Sequence, residues 1–544
     1  MRWYKEAIVY QIYPRSFYDS NGDGIGDIRG IIQKLDYLKD LGVNAVWLSP
    51  IYDSPLDDMG YDISNYYDVH KDYGTLEDFK EMLDEMHKRG IRLIMDLVVN
   101  HTSDEHPWFL DAKKSVNSPY HDYYIFRKGK NGRAPNNWRS FFGGSAWEYN
   151  EATDEYYLHL FSRRQPDLNW ENPKVRAEVK KILKFWLDLG VDGFRCDVIN
   201  LLSKKEGLPN TRGLPILGAK GIYIDGPKMH DYLQELKRDV FSKYDMFTVG
   251  ECVLIDLKTA LGYIKEGIDE LNTVFHFEHM NADCFYSKWI PRKFKLRRLK
   301  KPLSKWQYGL QGKAWNTLFL ENHDQPRSVN RYGKLENRVE VAKMLATYIF
   351  SQRGIPFIYQ GQEIGMTNAH YTKIEQYKDV ETLNMYKTLR KFLSEKRAMR
   401  LVQKASRDNS RTPMQWNRGK NAGFSTGEPW LEVNPNYLEI NVEDSLGDEN
   451  SILNYYKKLL SLRKKHSIFV YGDYREHYPR SNKLAYYERN YKGKKLLVIC
   501  NFTAKELEFD PIYNLSRFKL ILNNYSQDKK QLMPYQAKIY LGDF

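Results

Sequence analysis

The amino-acid sequence predicts an α/β protein, a (β/α)8 TIM barrel with a small domain inserted after strand 3 and an all-β sandwich domain at the C-terminal end. Two observations predict the barrel: helix patterns alternate with short apolar runs, and there are eight such runs. Strands separated by amphipathic helices pair in parallel through right-handed crossovers. The third observation is length. A chain of 544 residues exceeds one simple barrel, so accessory domains are expected.

The segment that leads to Asp197 shows the barrel pattern most clearly. Asn172 and Pro173 supply a helix N-cap and a first-turn proline. Apolar residues then recur at one-face helical spacing as far as Gly190, a residue suited to a left-handed helix end. The apolar run 191–196 is too short for a helix. It is therefore predicted to be a buried strand with Asp197 at its end.

The same order of helix, glycine and strand occurs twice earlier, around Gly42 and Gly90. The eight predicted strands are Ala7 to Tyr13, Val43 to Leu48, Ile91 to Val99, Val191 to Cys196, Met246 to Val249, Thr273 to Phe277, Asn316 to Leu320 and Pro356 to Tyr359. In such barrels the chemistry lies at the carboxyl ends of the strands.

Two segments depart from this alternation. Residues 102–170 are rich in Asn, Gly, Tyr and Trp and are predicted to form a small domain that walls the active-site face. From about Ser467 the pattern changes to short alternating segments. The predicted division is therefore 1–101 and 171–466 for the barrel, 102–170 for the inserted domain and 467–544 for the β-sandwich domain.

Composition narrows the class of protein. Hydrophobic residues make up 42% and aromatic residues 14%, enough for a large core. We see no signal peptide, lipidation motif or membrane-spanning run, and four scattered cysteines read as reduced thiols, so we expect a cytoplasmic chain. The formal charge of +13 comes partly from Lys288 to Lys305, interpreted as a solvated helix face. No nucleic-acid module, membrane partner or organic cofactor is expected, and we expect a monomer.

A loop near the N-terminus has the pattern of a calcium site. Oxygen-bearing side chains alternate with glycines in Asp-Ser-Asn-Gly-Asp-Gly-Ile-Gly-Asp, and a backbone carbonyl would complete the set. The predicted ligands are Asp19, Asn21, Asp23, Ile25 and Asp27. A true EF-hand is excluded, because Gly30 stands at the twelfth position. The alternative is an Asx-rich turn that holds water.

Three carboxylates end three predicted strands: Asp197, Glu251 and Asp324. For any one of them a structural salt bridge at the barrel mouth, such as Asp197 with Arg195, is a sufficient explanation. Together, with His323 beside Asp324, they predict chemistry, because crowded like charges are unfavourable without a function. After the second and third predicted strands, Asp58, Tyr61 and His101 are candidates to grip a sugar ring, although such clusters also occur in ordinary turns.

These motifs resemble the signature regions of the α-amylase superfamily, glycoside hydrolase family 13. Asp96 to His101, Gly193 to Asp197, Glu251 and Asn322 to Asp324 occur in the family's order. Gln165 to Asn169 is similar to the extra signature of the oligo-1,6-glucosidase branch. The likeness spans nearly the whole chain and implies the three-domain architecture given above.

The resemblance also implies roles for individual residues. Asp197 would be the nucleophile, Glu251 the general acid/base and Asp324 the transition-state stabiliser. It implies a structural Ca²⁺ at the loop described above. The implied substrate-binding residues are Asp58, Tyr61, His101, Gln165, Arg195, His323 and Arg411. Arg411 is preferred to Arg407 because it precedes the element Pro-Met-Gln-Trp, and either arginine could pair with Asp58.

The expected mechanism is retaining cleavage of an α-glucoside. It needs one ionised and one protonated carboxyl group about 5–5.5 Å apart. Arg195 would keep Asp197 anionic, and neighbouring carboxylates would raise the pKa of Glu251.

The substrate is predicted from finer likenesses. Val198 resembles the branch that acts on α-1,6 links, so isomaltose and short isomalto-oligosaccharides are the expected substrates. A trehalose-6-phosphate hydrolase is the nearest alternative, because such enzymes share Asp197-Val-Ile-Asn and the Asp225-Gly-Pro element. A sucrose isomerase is a further one, and a non-catalytic sugar-binding or transporter-associated homologue is the alternative of another class. Met59 and Gln362 depart from the usual pattern.

Overall fold

Eight parallel strands, β1 to β8, form the central sheet of the computed structural model, which describes residues 2–214, 216–527, 529 and 531–543. They are β1 (Val9–Ile12), β2 (Ala45–Leu48), β3 (Arg92–Leu97), β4 (Gly193–Cys196), β5 (Phe247–Glu251), β6 (Thr273–Phe275), β7 (Thr317–Leu318) and β8 (Ile355–Tyr359). Each predicted run overlaps one of them. The predicted barrel is confirmed.

The strands follow one another around the barrel in the order β6-β5-β4-β3-β2-β1-β8-β7. In this order β6 and β7 are the two ends of the hydrogen-bonded sheet, so the barrel has a seam there. Two threonine hydroxyls cross the seam: Thr273 donates to the carbonyl of Trp315 at 2.8 Å and Thr317 to that of Val274 at 3.1 Å. These side-chain bonds take the place of a backbone ladder.

The alternation of side chains along the strands places an apolar layer under a polar one. Val9, Trp47, Ile94, Val249 and Phe357 belong to one buried cluster inside the barrel. Because side chains two residues apart on a strand share a face, the inner face continues upward from these residues into polar ones. Those polar residues, nearer the carboxyl ends, are Gln11, Asp96 and Glu251, with Arg195 of β4 paired in register between Asp96 and Val249.

The main helices of the barrel segment begin and end where the sequence signals lie. Asn172 accepts a hydrogen bond from the backbone of Lys174 at the start of Pro173–Asp188, and Gly190 beyond its end has φ +108°. The main helices are Ile28–Gln33, Leu35–Leu41, Leu76–Lys88, Pro173–Asp188, Met229–Asp239, Leu257–Ile264, Leu296–Leu310, Arg338–Phe350 and Ile452–Lys465. The other α-helices are Pro107–Ala112, Ser328–Tyr332, Val380–Leu389, Glu395–Ala405, Asp408–Arg411, Val442–Gly447 and Ile468–Tyr471.

Smaller sheets lie outside the barrel. A three-stranded antiparallel sheet falls within the predicted insertion and contains Phe126–Arg127, Glu155–Leu158 and Trp147–Asn150. Two-stranded sheets pair Tyr52–Asp53 with Asn65–Val69 and Cys284–Phe285 with Ser287–Pro291. The exact domain boundaries stay predictions.

The C-terminal region contains a five-stranded antiparallel sheet in the order Asp473–His477, Leu484–Tyr491, Lys494–Asn501, Ala537–Asp543 and Lys519–Asn523. Val498 on one face joins the main core, whereas Leu497 on the other packs with a cluster that includes Phe509 and Leu515. The second layer over that face is thus irregular chain rather than a second sheet in the described residues.

The basic stretch 288–305 is less solvated than the sequence predicts. Lys300 is buried, and its ammonium group donates to the carbonyls of Tyr478 at 2.7 Å and Leu484 at 3.1 Å. Lys288 and Lys305 pair with Glu381 and Glu278. Part of this stretch therefore ties the barrel to the C-terminal region. Among the described residues, no helix is both long enough and apolar enough to cross a bilayer.

Candidate active site

One buried arginine holds three carboxylates at the mouth of the barrel. The guanidinium of Arg195 donates through Nη1 to Asp96 at 2.6 Å and Asp197 at 2.5 Å, and through Nη2 to Glu251 at 2.5 Å. Its side chain is 1% exposed. Because adjacent strands β3, β4 and β5 supply these groups, the register of the barrel sets their mutual positions. A charge held this tightly fixes both Asp197 and Glu251 on one side of the pocket.

The three carboxylates differ in how easily they ionise. Burial raises the pKa of Asp197 to about 6, although Arg195 opposes the rise. Burial raises the pKa of Glu251 to about 8, with Arg195 opposing and the charges of Asp197 and Asp324 adding to the rise. Near neutral pH, Asp197 is therefore ionised and Glu251 protonated. This is the division of states that retaining cleavage of an acetal needs.

Asp324 is the carboxylate that stays ionised most easily. Burial alone would raise its pKa, but His323, Arg407 and Arg411 hold that pKa well below the usual range. Its Oδ1 accepts from Arg411 at 3.0 Å and from Arg407 at 3.3 Å. A permanent negative charge on this side of the pocket can accept hydrogen bonds from sugar hydroxyls. It can also stabilise a positively charged ring electrostatically.

His323 is a neutral hydrogen-bond donor. Burial lowers its pKa to about 3. The amide nitrogen of Gln11 lies 2.8 Å from Nδ1, so Nδ1 accepts and Nε2 carries the proton. Nε2 lies 3.3 Å from Asp324. The ring stacks on Tyr61, with centroids 5.3 Å apart and planes at 6°. These contacts fix the direction in which His323 can donate.

The far side of the pocket is closed by Arg407. Its Nη2 lies 2.9 Å from Asp58 and 2.6 Å from Asp379, and both carboxylates are buried. Gln165 donates to the other oxygen of Asp58 at 3.2 Å. Removing one partner from such a buried group would leave an uncompensated charge. Breaking the contacts of Arg407 with Asp58 and Asp379 is therefore costly.

The pocket that these groups surround is open to solvent on one side. Its volume is about 410 Å³ when the solvent space at the mouth is counted. Its lining residues are Asp58, Tyr61, His101, Phe142, Phe161, Asp197, Val198, Glu251, His323, Asp324 and Arg407. Charged groups lie at the closed end, and Phe142 and Phe161 come from the inserted region. A glucosyl unit would thus meet ionic hydrogen-bond partners on its edges and aromatic rings above.

Comparison with known proteins identifies the family of this chain. The model of the family described as "Alpha amylase, catalytic domain" matches residues 11–472. The chain belongs to the α-amylase family.

Relatives within the α-amylase family match over the whole chain. The oligo-1,6-glucosidase of Parageobacillus thermoglucosidasius is 55% identical, covering 99% of this chain and 98% of that protein. The oligo-1,6-glucosidase of Bacillus cereus is 50% identical, with 99% of each covered. The crystal structure of Bacillus licheniformis trehalose-6-phosphate hydrolase has a TM-score of 0.94 at 47% identity, covering 99% of this chain and 100% of that one.

The structure brings together most of the predicted site residues of this α-amylase family member. Seven of them line the pocket, and Arg195 and Gln165 contact the lining residues from behind. His101 donates from Nε2 to the carbonyl of Tyr61 at 3.0 Å.

Arg411 is the exception. It is 1% exposed, contacts Asp324 and the carbonyl of His323, and does not line the pocket. The arginine that pairs with Asp58 is Arg407, so the preference for Arg411 is corrected. Arg407 precedes the short helix Asp408–Arg411, whereas Arg411 at its end turns inward behind Asp324.

Two carboxylates, Asp379 and Asp96, have roles at the site that the sequence does not indicate. Asp379 neutralises Arg407, and burial would raise its pKa but Arg407 lowers it. No motif marks Asp379; the only signal is its place as the N-cap of Val380–Leu389. Asp96 was recognised only as part of a motif, yet it anchors Arg195 and accepts from Trp47 at 2.8 Å.

The predicted calcium loop is closed by its own hydrogen bonds. Asp19 accepts from the backbone of Gly22 at 2.7 Å and Gly24 at 2.8 Å, and Asp27 caps the following helix through Gly30. Within the described residues no three Asp, Glu, His or Cys side chains converge as a metal site. The donors are carboxylate, amide and carbonyl oxygens, which fit Ca²⁺ by type.

Two thiols lie directly beside the carboxylates predicted to be catalytic. Cys196 precedes Asp197 and Cys252 follows Glu251, and both are buried and free. Burial raises the pKa of Cys196 to about 12 and that of Cys252 well above its usual value. Both groups are therefore inert packing thiols at the outer face of β4 and beyond β5.

Proposed function

We propose that the protein is a retaining α-glucosidase that releases α-glucose from the non-reducing end of isomaltose and short isomalto-oligosaccharides. The observation that carries the proposal is the pair of carboxyl groups held by Arg195, with pKa values of about 6 and 8. The relatives named oligo-1,6-glucosidase and the pocket closed by Arg407 and Asp58 support the linkage and the exo mode of attack.

Cleavage begins when the ionised Asp197 attacks the anomeric carbon of the terminal glucose. Glu251, protonated at neutral pH, gives its proton to the departing glycosidic oxygen. The result is a glucosyl ester on Asp197 and a released sugar, glucose or a shorter oligosaccharide, that carries the protonated oxygen as a hydroxyl group. Asp324 and His323 would bind hydroxyls of the distorted ring, because both point into the pocket and are held by buried partners.

Hydrolysis of the ester uses the same groups in reverse. Glu251, now ionised, takes a proton from a water molecule, which attacks the anomeric carbon. The two displacements invert the carbon twice, so the product is α-glucose. Arg195 stabilises the Asp197 carboxylate when it leaves.

The α-1,6 preference is supported by Val198, which lines the pocket directly after the nucleophile. Its backbone is left-handed, with φ +35°, and its side chain packs in the cluster that includes Leu201 and Tyr223. A branched side chain held rigidly at this point narrows the space beside the scissile bond. The trehalose-6-phosphate alternative has less support, because Lys288 beside Asp324 is already paired with Glu381.

The test is glucose release from isomaltose, maltose, sucrose and trehalose 6-phosphate, with the product anomer followed by NMR. We expect isomaltose to give the highest kcat/KM and α-glucose to appear first. A higher kcat/KM on trehalose 6-phosphate would overturn the substrate assignment. Sugar binding without turnover of any of the four would favour the non-catalytic homologue.

We also propose that the loop with Asp19, Asn21, Asp23, Ile25 and Asp27 binds a structural Ca²⁺. The support is the oxygen donor set in one nine-residue loop, which also meets Ser425 through Asp19. Bound Ca²⁺ would stabilise the folded state by mass action. We expect the Tm to fall by several degrees in EDTA and to recover with Ca²⁺ but not Mg²⁺. An unchanged Tm, with no calcium found by elemental analysis, would leave the Asx-turn interpretation. The cytoplasmic location and the monomeric state stay predictions.

A further inference from the structure

A second, larger cavity lies beside the pocket and shares Phe142 with it. This groove has a volume of about 1470 Å³ when the solvent space above it is counted. It is lined by Arg139, Ser140, Phe142, Gly143, Gly144, Leu214, Ile216, Leu217, Leu254, Tyr286, Asn384, Met385, Thr388 and Lys391. With the glucosyl unit in the pocket, a departing group (the aglycone) that passes Phe142 would enter this groove.

Apolar side chains supply most of the lining surface of the groove. Leu214, Leu217, Leu254 and Tyr286 are all exposed, with Leu214 at 64% and Tyr286 at 81%. Aliphatic side chains offer no hydrogen bonds to hydroxyl groups. Exposed apolar residues grouped in one concave surface mark a binding site rather than ordinary surface.

Two of these side chains are held by strained backbone. Leu254 has φ +52° and Tyr286 has φ +57°, a left-handed conformation that is unfavourable for bulky residues. Burial does not explain the strain, because both side chains face solvent in the groove. Strain of this kind persists where the surrounding structure over-determines the backbone conformation, so the direction of both side chains is set by the fold.

The charge of the groove has one sign. Arg139 and Lys391 are its charged residues, both are exposed, and no aspartate or glutamate is among the lining residues. By contrast, Lys288 and Arg407 near the pocket are paired with carboxylates. Two exposed cations beside apolar side chains are complementary to a molecule with an apolar body and an anionic group.

One buried cluster connects the groove with the pocket. Ile216 lines the groove and packs against the cluster that contains Val198, which lines the pocket directly after Asp197. The groove and the pocket are therefore linked by packing as well as by Phe142.

We propose that the groove binds apolar aglycones that carry an anionic group at the outer end, so that the enzyme also hydrolyses α-glucosides of long alkyl alcohols bearing a carboxylate. The inference rests on the proposed function, since it extends the same cleavage to another leaving group. Glu251 protonates the alkyl oxygen, Asp197 takes the glucosyl unit, and water releases it. No further reactant is needed.

The test compares kcat/KM for methyl, butyl and octyl α-glucosides. These alcohols have nearly equal acidity, so differences report binding of the aglycone rather than leaving-group chemistry. We expect octyl to exceed methyl α-glucoside by about ten-fold, since burial of only two methylene groups accounts for that ratio. For the charge, ω-carboxyheptyl and ω-aminoheptyl α-glucosides are compared, and we expect the carboxylate to be favoured by about three-fold at low salt.

The variant that tests the groove is the double substitution Leu254→Asn and Tyr286→Asn, because asparagine tolerates positive φ and removes the apolar contact. We expect the octyl-to-methyl ratio to fall toward one. Tyr478→Asn is the matched control: Tyr478 has φ +50°, is 39% exposed and lies outside the groove. It should keep the wild-type ratio. For the charge, Arg139→Gln with Lys391→Gln should abolish the preference, and Lys519→Gln should keep it.

The outcomes separate the two proposals. Equal rates for methyl and octyl α-glucosides, in an enzyme that hydrolyses isomaltose, would overturn the groove assignment and leave the proposed function intact. A steep dependence on chain length without isomaltose hydrolysis would overturn the proposed function instead. Equal rates for the carboxyl and amino substrates would overturn the anionic part of the assignment.

Discussion

The pocket and the groove share Phe142, yet they are built by opposite means. In the pocket the charged side chains are held by partners of opposite charge, as the buried Arg195 is by Asp96 and Glu251. In the groove, side chains face solvent, and strained backbone at Leu254 and Tyr286 keeps them there. The pocket thus fixes one ring precisely, whereas the groove presents area without directional bonds. The reaction needs the fixed geometry of the pocket. Tolerance of different leaving groups follows from the undirected contacts of the groove.

The largest effect should come from removing the nucleophile. Asp197→Asn is expected to lower kcat on isomaltose by about 10⁴-fold or more, because no covalent intermediate can form. The fold should not suffer. Burial raises the pKa of Asp197, so its ionised form is disfavoured by folding at neutral pH, and the Tm is expected to be unchanged or higher. An active variant with the wild-type kcat would break the assignment of the pocket.

The second prediction concerns pH. The rate requires Asp197 ionised and Glu251 protonated, so kcat/KM should rise with pH through about 6 and fall through about 8. Glu251→Gln should lower kcat by about 10²- to 10⁴-fold and remove the alkaline limb. The measurement is a pH profile of both proteins on isomaltose. An alkaline limb that persists in the variant would show that another group is the acid.

The third prediction compares the loss of the buried Arg407 with the loss of an exposed surface arginine. Arg407→Gln leaves Asp58 and Asp379 without their shared cation, so we expect kcat/KM to fall by about 10²-fold and the free energy of unfolding by about 3–5 kcal/mol. Arg418→Gln is the control, because its pair with Asp444 is exposed and should change stability by less than about 1 kcal/mol. Urea denaturation measures both. Equal effects in the two variants would remove the contrast between the pocket and the surface.

The smallest effect should come from the groove. Tyr286→Gly is expected to raise the free energy of unfolding by about 1 kcal/mol, because glycine adopts φ +57° without strain and the tyrosine buries little surface. Urea denaturation and the octyl-to-methyl ratio should move in opposite directions, with stability gained and selectivity lost. A destabilised variant would show that Tyr286 contributes packing that its exposure conceals.

Much of the pocket could be predicted from the sequence because its residues follow strand ends. Asp197 and Glu251 lie at positions fixed by strand alternation, Asp324 lies in the turn after β7, and each has short motifs around it. The eight strands were predictable for the same reason, since helix, glycine and apolar run repeat along the chain.

Arg407 and Asp379 were harder, because both come from irregular chain beyond the last strand. Two arginines four residues apart have equal claims in the sequence, and only the path of the short helix Asp408–Arg411 decides which one reaches Asp58. The groove was not predictable at all. Its residues come from segments that lie between about positions 139 and 391 and share no pattern until the chain folds.

The buried thiols beside the catalytic acids give the molecule a built-in reporter. Cys196 and Cys252 are shielded from solvent only while the strands that carry Asp197 and Glu251 stay closed around them. The rate at which an alkylating reagent modifies these thiols would therefore report how often the strands that carry Asp197 and Glu251 open transiently. A bound inhibitor that slows this labelling would show that filling the pocket makes transient opening of the strands behind it less frequent.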